Sequence, residues 1–159
     1  MGGEIEARLK SLGYELPPAP PAVANYVPYV VSGDLLYVSG QLSKAADGSM
    51  ITGRLGGGPG AGLTVEDGYK AAQLSALNIL AQAKAALGDL GRIGQVLRLN
   101  GFVAASADFT EHPKVVNGAS DLIGSVLADA GKHTRVAVGV PSLPMNAAVE
   151  VDAVMRIRG

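Results

Sequence analysis

The sequence predicts an α+β fold, a two-layer sandwich in which two main helices cover one face of a mixed β-sheet. Three observations support this prediction. The segments follow the order hairpin, helix, strand, helix, strand, strand; two long segments repeat small and apolar residues at helical spacing; and the last segment alternates as a strand does. A chain of 159 residues is long enough to bury a core, so we expect a single domain over residues 1–159.

The amino-terminal segment predicts a short helix followed by an extended arm. Apolar residues fall at helical spacing within residues 3–12, and Gly13 follows as a stop signal. Residues 17–23 are rich in proline, which favours a polyproline-like segment without internal hydrogen bonds. We therefore expect residues 1–22 to form a helix and an arm that straps this helix across the domain.

Residues 26–31 and 34–39 predict two strands of a hairpin, joined by a tight turn at Ser32-Gly33. Residues 44–62 then predict a loop that is longer than a compact domain usually contains without a use for it.

A cluster of glycines marks this loop: Gly53, Gly56, Gly57, Gly58, Gly60 and Gly62. No Gly-Lys-Ser/Thr follows the cluster, so a lid or packing loop is favoured over a phosphate-binding loop. Because glycine adopts positive φ at little cost, we expect residues 53–62 to be mobile or to have positive φ at several glycines.

Thr64 is placed to cap a long helix that ends at Leu87, with Gly88 as its stop signal. Glu66 and Asp67 fall in its first turn, where negative charge is favourable. Small residues repeat along this helix at steps of three and four, which suits close packing on a sheet.

Residues 95–105 predict a long strand, and Pro113 predicts the first turn of the second main helix, which we expect to end at Gly131. Four residues share one face of this helix: Val116, Ser120, Ile123 and Leu127.

Residues 134–140 and 147–157 predict two closing strands. One side of the last strand is apolar: Val149, Val151, Ala153, Met155 and Ile157. The other side mixes apolar and charged residues: Ala148, Glu150, Asp152, Val154, Arg156 and Arg158. A mixed face that no helix covers predicts burial by oligomerisation, with the functional site where subunits meet.

The composition disfavours several classes of function. A net charge of -1 provides no basic field for a nucleic-acid backbone. The absence of cysteine removes disulfides, zinc-thiolate sites and cysteine nucleophiles, and the two histidines have no spacing that predicts a metal site. No segment has the length and hydropathy of a membrane span or the pattern of a signal peptide, so we expect a cytoplasmic protein without a membrane partner.

Two charged residues near the carboxyl terminus are the best candidates for chemistry. Arg135 begins an otherwise apolar strand, where a half-buried guanidinium needs a partner and suits a carboxylate. That partner is either a ligand or, in a purely structural role, Glu150 or Asp152. Glu150 is either a surface charge or an acid or base in a shared pocket.

The sequence resembles the RidA/YjgF reactive-imine deaminase family, in its longer branch with an N-terminal helix and a Gly-rich insert. The resemblance covers roughly residues 23–158 and depends on the order and spacing of several short motifs. These are YVPYVVSGDLLYVSGQ from position 26, DFTEHPKVVNGASDL from position 108, TRVAVGVPSLP from position 134 and the closing VEVDAV.

This resemblance implies a chorismate-mutase-like fold, a homotrimer with three clefts between subunits, and hydrolysis of 2-imino acids without a cofactor. By position, Arg135 is similar to the arginine that binds the substrate carboxylate, and Glu150 to the acid that holds the attacking water. The other implied cleft residues are Tyr26, Ser39, Asn117 and Ala137, the last of which replaces a frequent cysteine.

Alternatives remain open at these positions. The hydroxyl of Tyr26 can simply reach solvent, and Ser39 and Asn117 can cap or bridge backbone groups. The same cleft is also compatible with a non-catalytic module that binds or senses a small carboxylate. An endoribonuclease, a label carried by some relatives, is disfavoured by the charge balance and by the lack of an aromatic platform.

Overall fold

The computed structural model describes residues 3–22, 24–58 and 62–159. Its helices are α1 (Glu4–Ser11), α2 (Val65–Leu87) and α3 (His112–Leu127). Its strands are β1 (Tyr29–Ser32), β2 (Leu35–Leu42), β3 (Ile93–Ala104), β4 (Thr134–Val140) and β5 (Val149–Ile157). Short 3₁₀ turns cover Leu90–Arg92, Ala128–Gly131 and Pro144–Asn146.

The five strands form one mixed sheet in the order β1-β2-β5-β3-β4. The β3–β4 pair is parallel and the other pairs are antiparallel. The buried side of β5 packs with α2 and α3 in one apolar core, while the opposite side of the strand is partly exposed. The predicted two-layer α+β sandwich is therefore confirmed.

The hairpin differs in detail from the prediction. β1 begins at Tyr29, so Tyr26 lies in the segment before the strand, and the turn consists of Gly33 and Asp34, with Gly33 at φ 60°. Pro28 explains the late start, because proline has no N–H to donate to a strand ladder. Its carbonyl accepts a hydrogen bond from the Ser39 N–H at 2.9 Å, which keeps the approaching segment beside β2.

The bounds of α2 are confirmed at both ends. The Thr64 hydroxyl accepts a hydrogen bond from the Asp67 N–H at 3.1 Å, and the Asp67 carboxylate accepts one from the Thr64 N–H at 3.0 Å. This capping box satisfies two donors that a helix start leaves free. Gly88 ends the helix at φ 79°.

The helix α3 ends earlier than predicted, at Leu127, and Ala128–Gly131 form a 3₁₀ turn. Gly131 is instead required for a close approach, because a Cβ at this position would lie 2.6 Å from the carbonyl oxygen of Ile123. The stop signal at Gly131 therefore belongs to the turn that follows the helix.

The helices α2 and α3 touch at Gly118. A Cβ at this position would overlap the backbone carbonyl of Tyr69 on α2, and it would also lie 3.2 Å from the Cβ of Ala72. Backbone cannot move aside as a side-chain tip can, so the separation of the helices depends on the missing Cβ.

We expect Gly118→Ala to lower the free energy of unfolding by about 3 kcal/mol, because the added methyl overpacks the contact between α2 and α3. Gly124→Ala is the matched control: it lies in the same helix and a Cβ there meets nothing within 4 Å. It should be neutral or stabilising by up to about 1 kcal/mol through helix propensity. Urea denaturation of both variants checks the difference, and equal stabilities would contradict it.

The Gly-rich loop combines a buried anchor with left-handed backbone. Leu55 is fully buried, and its N–H donates to the Ala104 carbonyl at 2.9 Å. Positive φ occurs at Gly53, Gly56, Gly57, Gly58 and Gly62, which confirms the predicted use of glycine. Gly60 falls in residues 59–61, outside the described residues.

Side-chain hydrogen bonds attach the amino-terminal helix and the proline-rich arm to the rest of the domain. Arg8 donates to the Val126 carbonyl at 2.7 Å, and Gln82 on α2 donates to the Pro20 carbonyl at 2.6 Å. The first contact holds α1 against the end of α3, and the second holds the proline-rich segment along α2.

One face of the sheet is covered by no helix of the described chain, and we call it the open face. The register places four apolar side chains on it that are between 38% and 49% exposed: Val30, Tyr37, Val136 and Val138. Glu150 and Asp152 of β5 lie on the same face. This exposed mixture of apolar and charged residues agrees with the face expected from the sequence.

Candidate functional site

Arg135 lies on the edge strand β4, on the side of the sheet that faces the helices. Its Nη1 donates to the Asn117 Oδ1 at 2.9 Å and to the Ser120 Oγ at 3.1 Å, both on α3. Within residues 3–22, 24–58 and 62–159, the guanidinium has no ion pair, so the alternative of a salt bridge to Glu150 or Asp152 within one chain is wrong. The arginine therefore has neutral partners and an uncompensated charge.

Ser120 and His133 extend this cluster. The Ser120 Oγ is 2.8 Å from the Nε2 of His133, and the Nδ1 of His133 is 2.6 Å from the Gly131 carbonyl oxygen. Ser120 shares a helix face with Val116, Ile123 and Leu127, and its contact with His133 was not predicted from the sequence. A hydroxyl on such a stripe requires a hydrogen-bond partner, which is the signal that would have identified it.

Ala137 follows Arg135 on the same side of β4, is half-buried, and pairs with Gly101 of β3. Its methyl group packs against the apolar core. We call Arg135, Asn117, Ser120, His133 and Ala137 the arginine group.

The remaining predicted residues lie at the other end of the sheet. Tyr26 is 51% exposed, and the Ser39 Oγ donates to the Val27 carbonyl at 2.7 Å. Ser39 thus bridges the backbone, as one alternative anticipated, while its oxygen keeps a lone pair for a ligand. Both residues line a cavity beside the end of β2 that extends past β1, and its other walls include Gly40, Lys44, Met50 and Met145.

Glu150 lies on the open face between Leu42 of β2 and Phe102 of β3. Its carboxylate lies over Gly40, where any side chain would overlap it. Glu150 therefore contacts Gly40, which lines the same cavity as Ser39. We call Glu150, Tyr26, Ser39 and Gly40 the glutamate group.

The surroundings of Glu150 shift the pKa of its carboxyl upward. Burial raises the pKa of its carboxyl above the ordinary value, and the nearby Asp152 raises it further. In the described part of the chain the carboxylate has no hydrogen-bond or salt-bridge partner. Asp152 differs, because it accepts a hydrogen bond from Asn100 at 2.7 Å, which offsets part of the rise in its own pKa caused by burial.

The arginine group and the glutamate group do not meet within one chain. Arg135 pairs with Leu99, which pairs with Ala153, so it is two strands and three residues away from Glu150. With a strand spacing of about 4.8 Å and a rise of about 3.3 Å per residue, their Cα atoms are roughly 14 Å apart. Their side chains also leave opposite faces of the sheet. One chain thus presents two incomplete groups on opposite faces of the sheet.

The family described as "YjgF/chorismate mutase-like, putative endoribonuclease" matches residues 6–155. The chain belongs to this YjgF family. Its two-layer sandwich is the fold that the resemblance to RidA/YjgF proteins implied, and that expectation is confirmed.

Two relatives resemble this YjgF protein over nearly its whole length. Protein TCP17 of Trypanosoma cruzi is 51% identical over 156 residues, which cover 98% of this chain and 95% of TCP17. The crystal structure of Atu1372 from Agrobacterium tumefaciens, a protein of unknown function, is 52% identical, with 96% of this chain and 93% of that chain covered and a TM-score of 0.86.

More distant structures carry functional names. RidA from the Antarctic bacterium Psychrobacter sp. PAMC 21119 is 25% identical, with 87% of this YjgF protein and 94% of that chain covered and a TM-score of 0.60. Escherichia coli TdcF, solved with bound serine, is 22% identical, covers 89% of this chain and 94% of its own, and has a TM-score of 0.62. At that identity TdcF shows the shared fold alone.

Among the described residues of this YjgF protein, neither a membrane-spanning helix nor a metal-binding cluster is present. No helix among them is long and apolar enough to cross a membrane. No group of three or more histidine, aspartate or glutamate side chains among them is arranged to hold a metal ion.

Proposed function

We propose that this protein hydrolyses reactive 2-imino acids and their enamine tautomers to 2-oxo acids and ammonia, in a cleft between subunits of a homotrimer. The observation that carries the proposal is the arginine group: a half-buried guanidinium with no counter-ion in its own chain, held by neutral partners at the edge of the sheet. Such a guanidinium is suited to a small carboxylate.

The separation of the two groups supports a shared cleft. A second subunit that packs on the open face can bring its glutamate group beside the arginine group of the first. The exposed apolar residues of the open face provide the surface for this packing. In this arrangement Tyr26, Ser39 and Glu150 come from one subunit, and Arg135, Asn117 and Ala137 come from its neighbour.

The chemistry requires positioning more than covalent catalysis. Arg135 fixes the substrate carboxylate, which places the adjacent imine carbon next to the water held by Glu150. The imine nitrogen is first protonated from solvent, and Glu150 accepts a proton as the water oxygen bonds to the imine carbon. The proton on Glu150 then goes to the departing nitrogen. The C–N bond breaks as the C=O bond forms, the hydroxyl proton passes through Glu150 to solvent, and the 2-oxo acid and ammonia leave. No electron is exchanged, so the reaction needs no redox cofactor.

A second candidate function is the binding or sensing of a small carboxylate without turnover. The arginine group favours this alternative because it can bind a carboxylate without help from Glu150. TdcF, which was solved with bound serine, is a distant structural relative that holds a small amino acid. An endoribonuclease remains the weaker candidate. A chain with a net charge of -1 lacks the positive electrostatic field that attracts an RNA backbone.

The test couples an amino-acid oxidase to the purified protein and follows imine decay and oxo-acid formation for several amino acids. Faster decay of the imine than in buffer alone supports the enzyme. If the protein binds pyruvate but does not speed the decay of the imine, the result supports a carboxylate-binding module without turnover. A salt-dependent RNA-binding assay distinguishes the endoribonuclease.

We expect a homotrimer in solution, with a mass about three times the 16.1 kDa of the chain, because the open face needs a partner. Light scattering at micromolar concentration checks this. Val138→Asp, which puts a charge on the 44% exposed apolar residue of β4, should dissociate the assembly while the fold persists. A monomeric wild type would contradict both the trimer and the shared cleft.

A further inference from the structure

The contacts of the Arg135 guanidinium assign its five N–H groups to two different tasks. Nη1 carries two hydrogens, and both are used, one by the Asn117 Oδ1 and one by the Ser120 Oγ. Among the described residues, neither Nε nor Nη2 has a partner. A carboxylate that binds through two parallel hydrogen bonds is therefore expected to bind the edge of the guanidinium formed by Nε and Nη2.

The proton positions behind Ser120 follow from the contacts of His133. The Gly131 carbonyl can only accept, so the Nδ1 of His133 carries a hydrogen. In the neutral ring Nε2 is then an acceptor, and it accepts a hydrogen bond from the Ser120 hydroxyl at 2.8 Å. The Ser120 oxygen is left with its lone pairs toward Arg135. The chain of contacts thus runs from the backbone of Gly131 through His133 and Ser120 to the guanidinium.

We infer that Ser120 and His133 are positioning residues, which hold Arg135 by Nη1 so that its Nε–Nη2 edge faces the ligand carboxylate. This inference rests on the proposed function, because it assumes that Arg135 binds the carboxylate. It adds two residues that touch no ligand and act through the arginine.

The physical reason lies in the freedom of a long side chain on an edge strand. An unheld arginine samples many rotamers, and binding must then restrict them at a cost in free energy. Two hydrogen bonds from α3 restrict the side chain before the ligand arrives. Asn117 alone leaves the guanidinium free to rotate about that single contact, whereas Ser120 provides the second point that fixes its plane.

The test measures pyruvate binding by isothermal titration calorimetry and imine hydrolysis for Ser120→Ala, Ser120→Thr and His133→Phe. We expect Ser120→Ala and His133→Phe to weaken binding about tenfold, the size expected for loss of a hydrogen bond to a charged group. KM should rise with kcat almost unchanged, since the carboxylate is held equally in the ground and transition states. Ser120→Thr keeps the hydroxyl and should restore most of the affinity.

A spectroscopic measurement distinguishes positioning from general destabilisation. The ¹⁵N relaxation of the Arg135 Nε, identified by its loss in Arg135→Lys, should report a more mobile side chain in Ser120→Ala than in the wild type. Ser11→Ala, at an exposed serine of α1, is the matched control and should leave binding and relaxation unchanged. If His133→Phe fails to fold, His133→Gln, which keeps polar atoms in place of the ring nitrogens, takes its position in the series.

The outcomes separate this inference from the proposed function. If Arg135→Ala loses pyruvate while Ser120→Ala binds it normally with unchanged relaxation at Nε, the positioning role is overturned and the proposed function stands. If Arg135→Ala itself binds pyruvate normally, both are overturned. A crystal structure with pyruvate on the Nη1 side of the guanidinium would also refute the inference.

Discussion

Replacing Arg135 by alanine should abolish the binding of pyruvate and 2-oxobutanoate. The arginine is half-buried, its guanidinium has no counter-ion among the described residues of its own chain, and Asn117 and Ser120 hold it from one side. Truncating one member of a bidentate pair in a partly dry cleft costs roughly 2–5 kcal/mol, a loss of about 30-fold to several thousandfold in affinity. Titration calorimetry of the assembled protein measures this loss directly.

Arg135→Lys separates the contribution of the guanidinium's planar pair of donors from the contribution of its positive charge. A lysine keeps the positive charge but cannot offer two parallel donors, so it should recover little of the lost affinity. The fold should persist in both variants, because Arg135 lies on an edge strand and contributes no buried apolar surface to the core. Wild-type binding and turnover in Arg135→Ala would show that the ligand is bound elsewhere.

The second large effect is expected at Glu150. Glu150→Gln should bind 2-oxo acids normally and hydrolyse imines about 100-fold more slowly or worse, because glutamine keeps the shape of the side chain but cannot accept a proton. Asp152→Asn is the matched control on the same strand and face. Asp152 is hydrogen-bonded to Asn100 and lies farther than Glu150 from Gly40, which lines the cavity. The Asp152→Asn variant should therefore retain turnover.

The pH dependence of the rate gives a further test of the role of the Glu150 carboxylate as a base. Burial raises the pKa of its carboxyl above the ordinary value of 4.5, and the ionised form is the one that accepts a proton from water. The rate should therefore fall as the pH drops through this raised pKa, and the acid limb of kcat/KM should lie above pH 4.5. The limb should disappear in Glu150→Gln together with most of the rate.

Mixing the two inactive variants tests whether the site is shared. Arg135→Ala retains the glutamate group, and Glu150→Gln retains the arginine group. After dissociation and reassembly of a mixture, some clefts contain an intact group from each subunit and should regain activity. Mixed assemblies that stay inactive, despite confirmed exchange of subunits, would place both groups in the same chain or refute the roles assigned to them.

Local signals in the sequence determined much of this fold. The start of α2 needs only the side chain of Thr64 and the residue three positions later, and its end needs only a glycine that accepts positive φ. The two sides of β5 follow from strict alternation, and the structure buries the side from Val149 to Met155. These features depend on neighbours within a few residues, so the printed sequence contains all the information they require.

Prediction was weaker where an element depends on a distant partner. Tyr26 has the side chain of a strand residue, yet it precedes β1 because Pro28 interrupts the hydrogen-bond ladder between β1 and β2. The Pro28 carbonyl instead accepts a hydrogen bond from the Ser39 N–H. Gly131 looks like a helix stop, but its position is fixed by the carbonyl of Ile123, against which it packs. Propensity gives the type of element, whereas contacts across the fold set its ends.

In the candidate site too, some features could be recognised from the sequence and others depended on the tertiary structure. The sequence alone indicated Arg135 and Glu150, because a charge in an apolar strand is recognisable from its neighbours, and the family resemblance added Tyr26, Ser39, Asn117 and Ala137. Only the tertiary structure showed that Arg135 is bonded to Asn117 and Ser120, that His133 stands behind Ser120, and that Glu150 leaves the opposite face of the sheet. A side chain's chemistry is a property of one residue, but its partners depend on strand order, register and helix placement, which no short stretch of sequence specifies.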